Sequence, residues 1–326
     1  MALLSRVAES LFWMGRYVER AENTARLLDV TYHGRLEPGG EHGLAGAINT
    51  WEALITTLGT TEMYLSLYDD FTEAGVIDFL TVSRHNPSSI VSSLIGAREN
   101  ARSCRDLLSS ESWVAINRLH HATVQRNLHL IMADGLYDFC DSIRLGAQTF
   151  HGTAANTSLH DEGYYWLRCG VQIERADMVT RLVDSKYHLL MNSLDEVGGP
   201  LDRYQWGAVL RSVSGYEAYR RTHVVGLDAS RVVGFLLLER QFPRSLRAAV
   251  EGLREALDRA TEGAEPRLRN RAMRQVTTLQ SRLQYETTES LIGAGLHEYL
   301  ASTQDTIADI SLAVSEAFFW AATSAA

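Results

Sequence analysis

Gly15-Arg16-Tyr17-Val18-Glu19-Arg20-Ala21-Glu22-Asn23-Thr24-Ala25-Arg26-Leu27-Leu28-Asp29 recurs half a chain later as Gly170-Val171-Gln172-Ile173-Glu174-Arg175-Ala176-Asp177-Met178-Val179-Thr180-Arg181-Leu182-Val183-Asp184. At a constant offset of 155 positions, Gly15, Glu19, Arg20, Ala21, Arg26, Leu27, Asp29, Tyr32 and His33 meet identical residues, and Glu22 meets Asp177. Around the first copy, Leu4, Val7, Leu11, Met14, Val18, Ala21, Ala25 and Leu28 fall at three- and four-residue spacing without an internal proline. That period predicts one helix over residues 3–32, and the second copy predicts a related helix over 164–191. Two such helices half a chain apart imply a single domain built as two pseudo-symmetric halves, about 1–150 and about 151–326.

Outward from the repeat, further helices are expected over 45–67, from Asn86-Pro87 to about 108, and over 110–131, 134–148, 204–224, 229–240, 243–260, 267–291 and 301–322. Pro38-Gly39-Gly40 and Gly198-Gly199-Pro200 mark helix ends, and the polar run 151–163 reads as the boundary between halves. Asn86-Pro87 and Phe242-Pro243 read as helix openings, with proline at the first helical position. No alternating strand pattern bounded by hairpin turns is evident, so the fold class is all-α, a large helical bundle. Trp13, Trp113, Trp166 and Trp206 are read as core and inter-helix residues.

The chain of 326 residues is 45% apolar and 22% charged, and its five prolines suit long uninterrupted elements. A formal net charge of -9 argues against a general nucleic-acid binder or a protein of anionic membranes, since both need a dominant cationic surface. Cys104, Cys140 and Cys169 show neither disulfide nor zinc-ligand spacing, and no leader or membrane-spanning run is evident, so a cytoplasmic location is expected.

The repeated charges carry the functional expectation. On a wheel of about 100° per residue, Glu19, Glu22, Arg26 and Asp29 share one sector at the edge of the apolar face. Glu174, Asp177, Arg181 and Asp184 repeat it. If the helices meet, six carboxylates and two arginines gather centrally, with Gly15 and Gly170 allowing close backbone approach. One reading makes each Glu or Asp to Arg spacing a helix-stabilising pair. The other makes the sector a pocket for a cation, amine or guanidinium, with Glu19 or Glu174 as general acid or base. The histidine half of a di-metal carboxylate site is missing from these helices, so no metal is assigned, although carboxylates alone could hold Mg²⁺ or Ca²⁺. Glu217, Tyr219, Arg220 and Arg221 form a further polar group suited to a phosphate or carboxylate. Phosphate loops, dinucleotide fingerprints and nucleophile elbows are absent, so no cofactor is assigned by motif.

The run Leu4 to Asp29, together with Asn86-Pro87-Ser88-Ser89-Ile90, Ala97-Arg98-Glu99-Asn100-Ala101-Arg102, Glu174-Arg175-Ala176-Asp177, Glu217-Ala218-Tyr219-Arg220-Arg221 and Phe242-Pro243-Arg244-Ser245, resembles the bacterial alpha-E family over nearly the whole chain. The resemblance implies a helical protein whose signature positions are Glu19, Arg20, Glu174 and Arg175. It also implies a setting beside circularly permuted ATP-grasp ligases and transglutaminase-like peptidases, in peptide or amide-bond metabolism. The expected role is an accessory or binding subunit of an amide-bond-forming system, with a small amine or peptide as a candidate ligand. A stand-alone enzyme on an amine or activated acyl compound, and a pure scaffold, are the alternatives.

Overall fold

The long helix read from Leu4 to Leu28 forms as Ser5–Leu36 (α1), and its repeat as Glu162–Met191 (α9). The computed structural model describes residues 3–36, 50–191, 199–223 and 226–320, with 34–36, 186–191 and 200–202 described for their backbone alone. Between the two long helices run Thr50–Thr57 (α2), Thr61–Leu65 (α3), Glu73–Thr81 (α4), Ile90–Ser103 (α5), Ser110–Val124 (α6), Leu128–Asp134 (α7) and Leu136–Thr157 (α8). After them come Pro200–Ser212 (α10), Tyr216–Thr222 (α11), Ala229–Leu238 (α12), Leu246–Ala260 (α13), Pro266–Tyr285 (α14), Thr288–Gly293 (α15) and Leu296–Val314 (α16). A π-helical turn, Ser315–Phe319, extends α16. Among the described residues there is no strand, and the class is all-α.

The two long helices run parallel through the middle of the core, because their contacts advance together: Leu11 meets Gly163, Gly15 meets Leu167 and Arg20 meets Glu174. They are closest at the glycines. A Cβ on Gly15 would lie 2.3 Å from the Leu167 carbonyl oxygen, and one on Gly170 would lie 2.0 Å from that of Phe12. Both distances are impossible for a real Cβ, so only glycine lets these backbones touch. Phe319 wedges against Phe12 and Trp166, with centroids 5.3 Å from each. Around this pair, α5 and α8 pack on α1, whereas α13 and α16 pack on α9; α2 reaches α9 and α10 reaches α1.

Several expected boundaries shift for local reasons. The 45–67 helix is broken into α2 and α3 around Gly59, whose φ of +67° ends the first; its beginning, like Pro38-Gly39-Gly40 and Gly198, lies outside the described residues. Asn86-Pro87 and Phe242-Pro243 do not open helices. Ser89 and Ser245 do, their hydroxyls accepting from the amides of Ser92 and Ala248 at 3.1 Å each. Asn86 is instead a buried turn residue, donating to the Phe79 carbonyl and accepting from the Ser88 amide. The polar run 151–163 is no linker at its start: α8 continues to Thr157, burying Ala154 and turning His151 inward toward Glu19, while Asn156 and Thr157 are exposed. Helix α4 was not expected, since its apolar stretch is too short to show a helical period. Trp166 and Trp206 are buried, and Trp13 and Trp113 pack partly buried against the core.

Candidate functional site

Where α1 and α9 touch, the two Glu-Arg dipeptides exchange partners. Arg20 clamps Glu174 with two bonds, Nε to Oε1 at 2.6 Å and Nη2 to Oε2 at 2.9 Å, a bidentate geometry that suits guanidinium and carboxylate. Arg16 adds a third, Nε to Oε2 at 3.0 Å, and anchors its own Nη1 on Ser311 of α16. In return, Arg175 brings Nη2 within 3.0 Å of Glu19 Oε2.

Glu19 also draws on a residue from outside both helices. Arg244, in the loop before α13, donates from Nη1 to Glu19 Oε1 at 2.8 Å and to Asn23 Oδ1 at 2.9 Å, and from Nη2 to Glu22 Oε1 at 2.8 Å. Arg26 reaches the same Glu22 oxygen from Nε and Nη2, at 3.1 and 2.6 Å, and donates from Nη1 to the Ser214 hydroxyl. Glu19 and Glu22 have no exposed surface at all. His151 of α8 completes the wall, with Nε2 3.5 Å from Glu19 Oε2.

Burial alone would raise the Glu19 carboxyl, but Arg175, Arg244 and His151 override it and hold it far below the usual carboxylate range. Glu174 behaves alike: burial pushes it up, while Arg20 and Arg16 bring it below its ordinary value. His151 goes the other way, as burial lowers its pKa against the pull of Glu19 and Glu22. Both ER glutamates are therefore permanent anions at neutral pH, with little affinity for a proton.

The other repeated charges do not join a single central cluster. A rise of about 1.5 Å per residue carries Asp29 and Asp184 roughly 15 Å along their helices from Glu19 and Glu174, and each finds its own cation. Asp29 pairs with His33 at 3.0 Å and Arg144 at 3.5 Å; Asp177 pairs with Arg181 at 2.8 Å. Asp184 accepts from His297 Nδ1 at 2.7 Å, the mate of the His33 contact in position if not in sequence. The repeated Tyr187 and His188 lie outside the described side chains. Glu217, Tyr219, Arg220 and Arg221 form no part of the network: Tyr219 is buried with its ring stacked on His223, while the three charged residues on α11 are exposed.

The Asp184 pair gives a pH-dependent test. Its hydrogen bond raises the His297 pKa in the folded chain, so its contribution is complete below the unfolded value near 6.5 and fades as pH rises through the folded value. His297→Gln is expected to flatten stability against pH across that window and to leave it unchanged well above. Urea midpoints measured from pH 5.5 to 8.5 check this, and parallel curves for the two proteins would contradict it.

Beside the buried network, α1 and α5 leave an open groove of about 350 Å³ lined by Glu9, Ser10, Trp13, Tyr17, Gly96, Glu99 and Asn100. Gly96 makes room for the Tyr17 ring, since a Cβ there would meet Tyr17 Cε2 at 2.9 Å. The Trp13 and Tyr17 rings lie 5.5 Å apart, with Arg16 4.8 Å from Trp13 and Arg20 5.8 Å from Tyr17. The groove and the ER network thus share one stretch of α1.

Arg16, Asn23, His151, Ser214 and Arg244 were not singled out as site residues from the sequence. Arg244 stood in the Phe242-Pro243-Arg244-Ser245 motif of the resemblance, and Arg16 and Asn23 in the quoted α1 run, but none of them was given a role; His151 and Ser214 are brought in by packing between distant segments.

An uncharacterised protein of Mycobacterium bovis is 30% identical over 310 residues, and an uncharacterised protein of Mycobacterium tuberculosis is 30% identical over the same length. Each alignment covers 91% of this chain and 34% of the relative, so the chain spans about a third of the length of the curated relatives it matches. No solved structure matches. Among the described residues no helix is long and apolar enough to cross a membrane. A family model described as an alpha-helical domain with a conserved ER motif matches residues 3–319, and two ER dipeptides face each other across its central helix pair: the chain belongs to the Alpha-E family.

Proposed function

We propose that the chain is a cytoplasmic helical binding module that works beside an ATP-grasp ligase in amide-bond formation, presenting an amine-bearing ligand or partner segment rather than catalysing alone. The observation that carries this reading is the groove between α1 and α5, where Glu9 stands beside the rings of Trp13 and Tyr17 and Glu99 is shared with Arg98 and Arg102. Carboxylates and aromatic faces are the chemistry that recognises an ammonium or guanidinium group. Amide-bond formation consumes an amine. The longer relatives support a module that acts together with further polypeptide.

The stand-alone enzyme is the weaker reading. A general base needs a proton affinity matched to the working pH, and Glu19 and Glu174 are held as anions by arginines. Two pseudo-symmetric halves, about 1–150 and about 151–326, are supported by the exchanged ER pairs and the mutual glycine contacts at the 155-residue offset. In this reading the ER pairs fix how the halves meet, and so hold the wall of the groove.

The test is co-purification from cells expressing the chain with an ATP-grasp ligase and a transglutaminase-like protein. The ligase is expected to be retained by the parent chain and lost from Trp13→Ala, with both chains melting within a few degrees of each other. Turnover of an amine and an acyl donor by this chain alone, or failure to retain any ligase, would sink the proposal.

A further inference from the structure

We propose that Glu19, Glu22 and His151 bind one divalent transition-metal cation of the Zn²⁺ class, buried between α1 and α8 and bracing those helices against each other. One oxygen of each glutamate is already committed: Glu19 Oε1 accepts from Arg244, and Glu22 Oε1 from Arg244 and Arg26. Their Oε2 atoms and His151 Nε2 are all buried without a hydrogen bond. Those three atoms lie within 4.8 Å of one another. Glu19 Oε2 has the Arg175 charge on one side, whereas Glu22 Oε2 has no cation of its own, so the space between these two oxygens and the imidazole nitrogen suits a positive centre.

The distances suit a metal better than a direct hydrogen bond. His151 Nε2 is 3.5 Å from Glu19 Oε2, long for a good N–H···O bond. With metal–ligand bonds of about 2.0 Å, a tetrahedral site separates its ligand atoms by about 3.3 Å, so this edge is nearly formed and the wider ones close by small side-chain rotations. The arginines on the Oε1 atoms act as outer partners that aim the free oxygens inward. An N/O donor set of this kind favours Zn²⁺ over Mg²⁺ or Ca²⁺.

The repeat shows why the site exists only once. Glu174 Oε2 is filled by two arginines, Arg16 and Arg20, but the residue 155 positions after Arg16 is Val171, so Glu19 Oε2 has one arginine where Glu174 Oε2 has two. Arg175 Nη2 approaches Glu19 Oε2 at 3.0 Å and opposes the incoming cation. Removing that charge is therefore expected to tighten binding.

Full-length chain stripped with chelator is titrated with Zn²⁺ alone, and bound metal is counted after desalting. One equivalent is expected, with a melting temperature raised by a few degrees at 100-fold excess over the dissociation constant. His151→Gln is expected to weaken binding at least tenfold, and Arg175→Gln to strengthen it. A doubly substituted His120→Gln, His121→Gln chain, which removes the neighbouring pair of imidazoles on α6, is expected to bind as the parent does. No uptake by the parent would mean that a water or proton fills the place and would overturn the proposal. So would uptake that survives in His151→Gln or disappears with the His120 and His121 pair. Ligase retention plays no part in these readouts, so the outcome is independent of the partner reading.

Discussion

Gly170→Ala is expected to lower the melting temperature by several degrees, and Gly15→Ala to do the same. The added methyl at 170 would sit 2.0 Å from the Phe12 carbonyl oxygen, 2.9 Å from its carbon and 3.1 Å from the Arg16 amide nitrogen. All three are backbone atoms of α1, so no flexible side chain can yield; the helices must part by about 1 Å in a core packed near crystal density. Overpacking of this kind costs about 1–3 kcal/mol, and here the parting also loosens the Arg20–Glu174 clamp a turn away. Alanine returns about 1 kcal/mol of helix propensity, which cannot offset both effects. Gly152→Ala supplies the control: on the exposed side of α8 nothing lies within 4 Å of the new Cβ, so propensity alone acts and the chain should melt unchanged or slightly higher. Calorimetric scans of the three variants decide the matter. A Gly170→Ala chain that melts with the parent would mean that α1 and α9 do not touch through these glycines.

The close approach was legible in the sequence because two glycines inside otherwise strong helical patterns recur at the same offset as the charges. So was the first long helix, whose apolar period runs from Leu4 to Leu28, about seven turns, and with it the second through the repeat. Short elements were not. Helix α4 has only Val76, Ile77, Phe79 and Leu80 to bury, too few to distinguish a helix from an apolar strand. At Asn86-Pro87 a familiar helix-opening pair was present, yet the serine two residues on captured the free amides because Asn86 was already bonded to Phe79. The site was half legible for a related reason. Glu19, Glu22, Arg26 and the second ER pair announce themselves by repetition, whereas Arg244 and His151 occur once and reach the glutamates across 225 and 132 residues of chain. Periodicity within a helix carries no information about such contacts. It also could not say that Arg144 and His297 would each neutralise a distant aspartate, and so divide one apparent cluster into several pairs.

Glu19→Gln is expected to cost about 3–5 kcal/mol, the usual consequence of removing one partner from a buried ion pair. The amide keeps the shape of the carboxylate but loses the charge on which Arg175 and Arg244 depend, and it turns an N–H₂ group toward one of two guanidiniums that have only N–H groups to offer. Glu174→Gln should behave similarly toward Arg16 and Arg20. At roughly 2 °C for each kcal/mol in a chain of this size, both variants should melt about 6–10 °C below the parent. Acid gives a second signature. Because the arginines depress the folded-state pKa of Glu19, its contribution is present above the unfolded value near 4.5 and is lost as pH falls toward the folded one. Below pH 4.5 the parent should therefore lose its advantage over Glu19→Gln, and the two unfolding midpoints should converge. Adding Arg175→Gln to Glu19→Gln should cost less than the two single changes together, since the second change removes a cation that the first has already stranded. If Glu19→Gln melts at or above the parent instead, the ER pairs do not hold α1 and α9 together. A buried charge network that opposes stability marks a site kept for function, and the ligand should then be sought between the repeated helices rather than in the groove beside them.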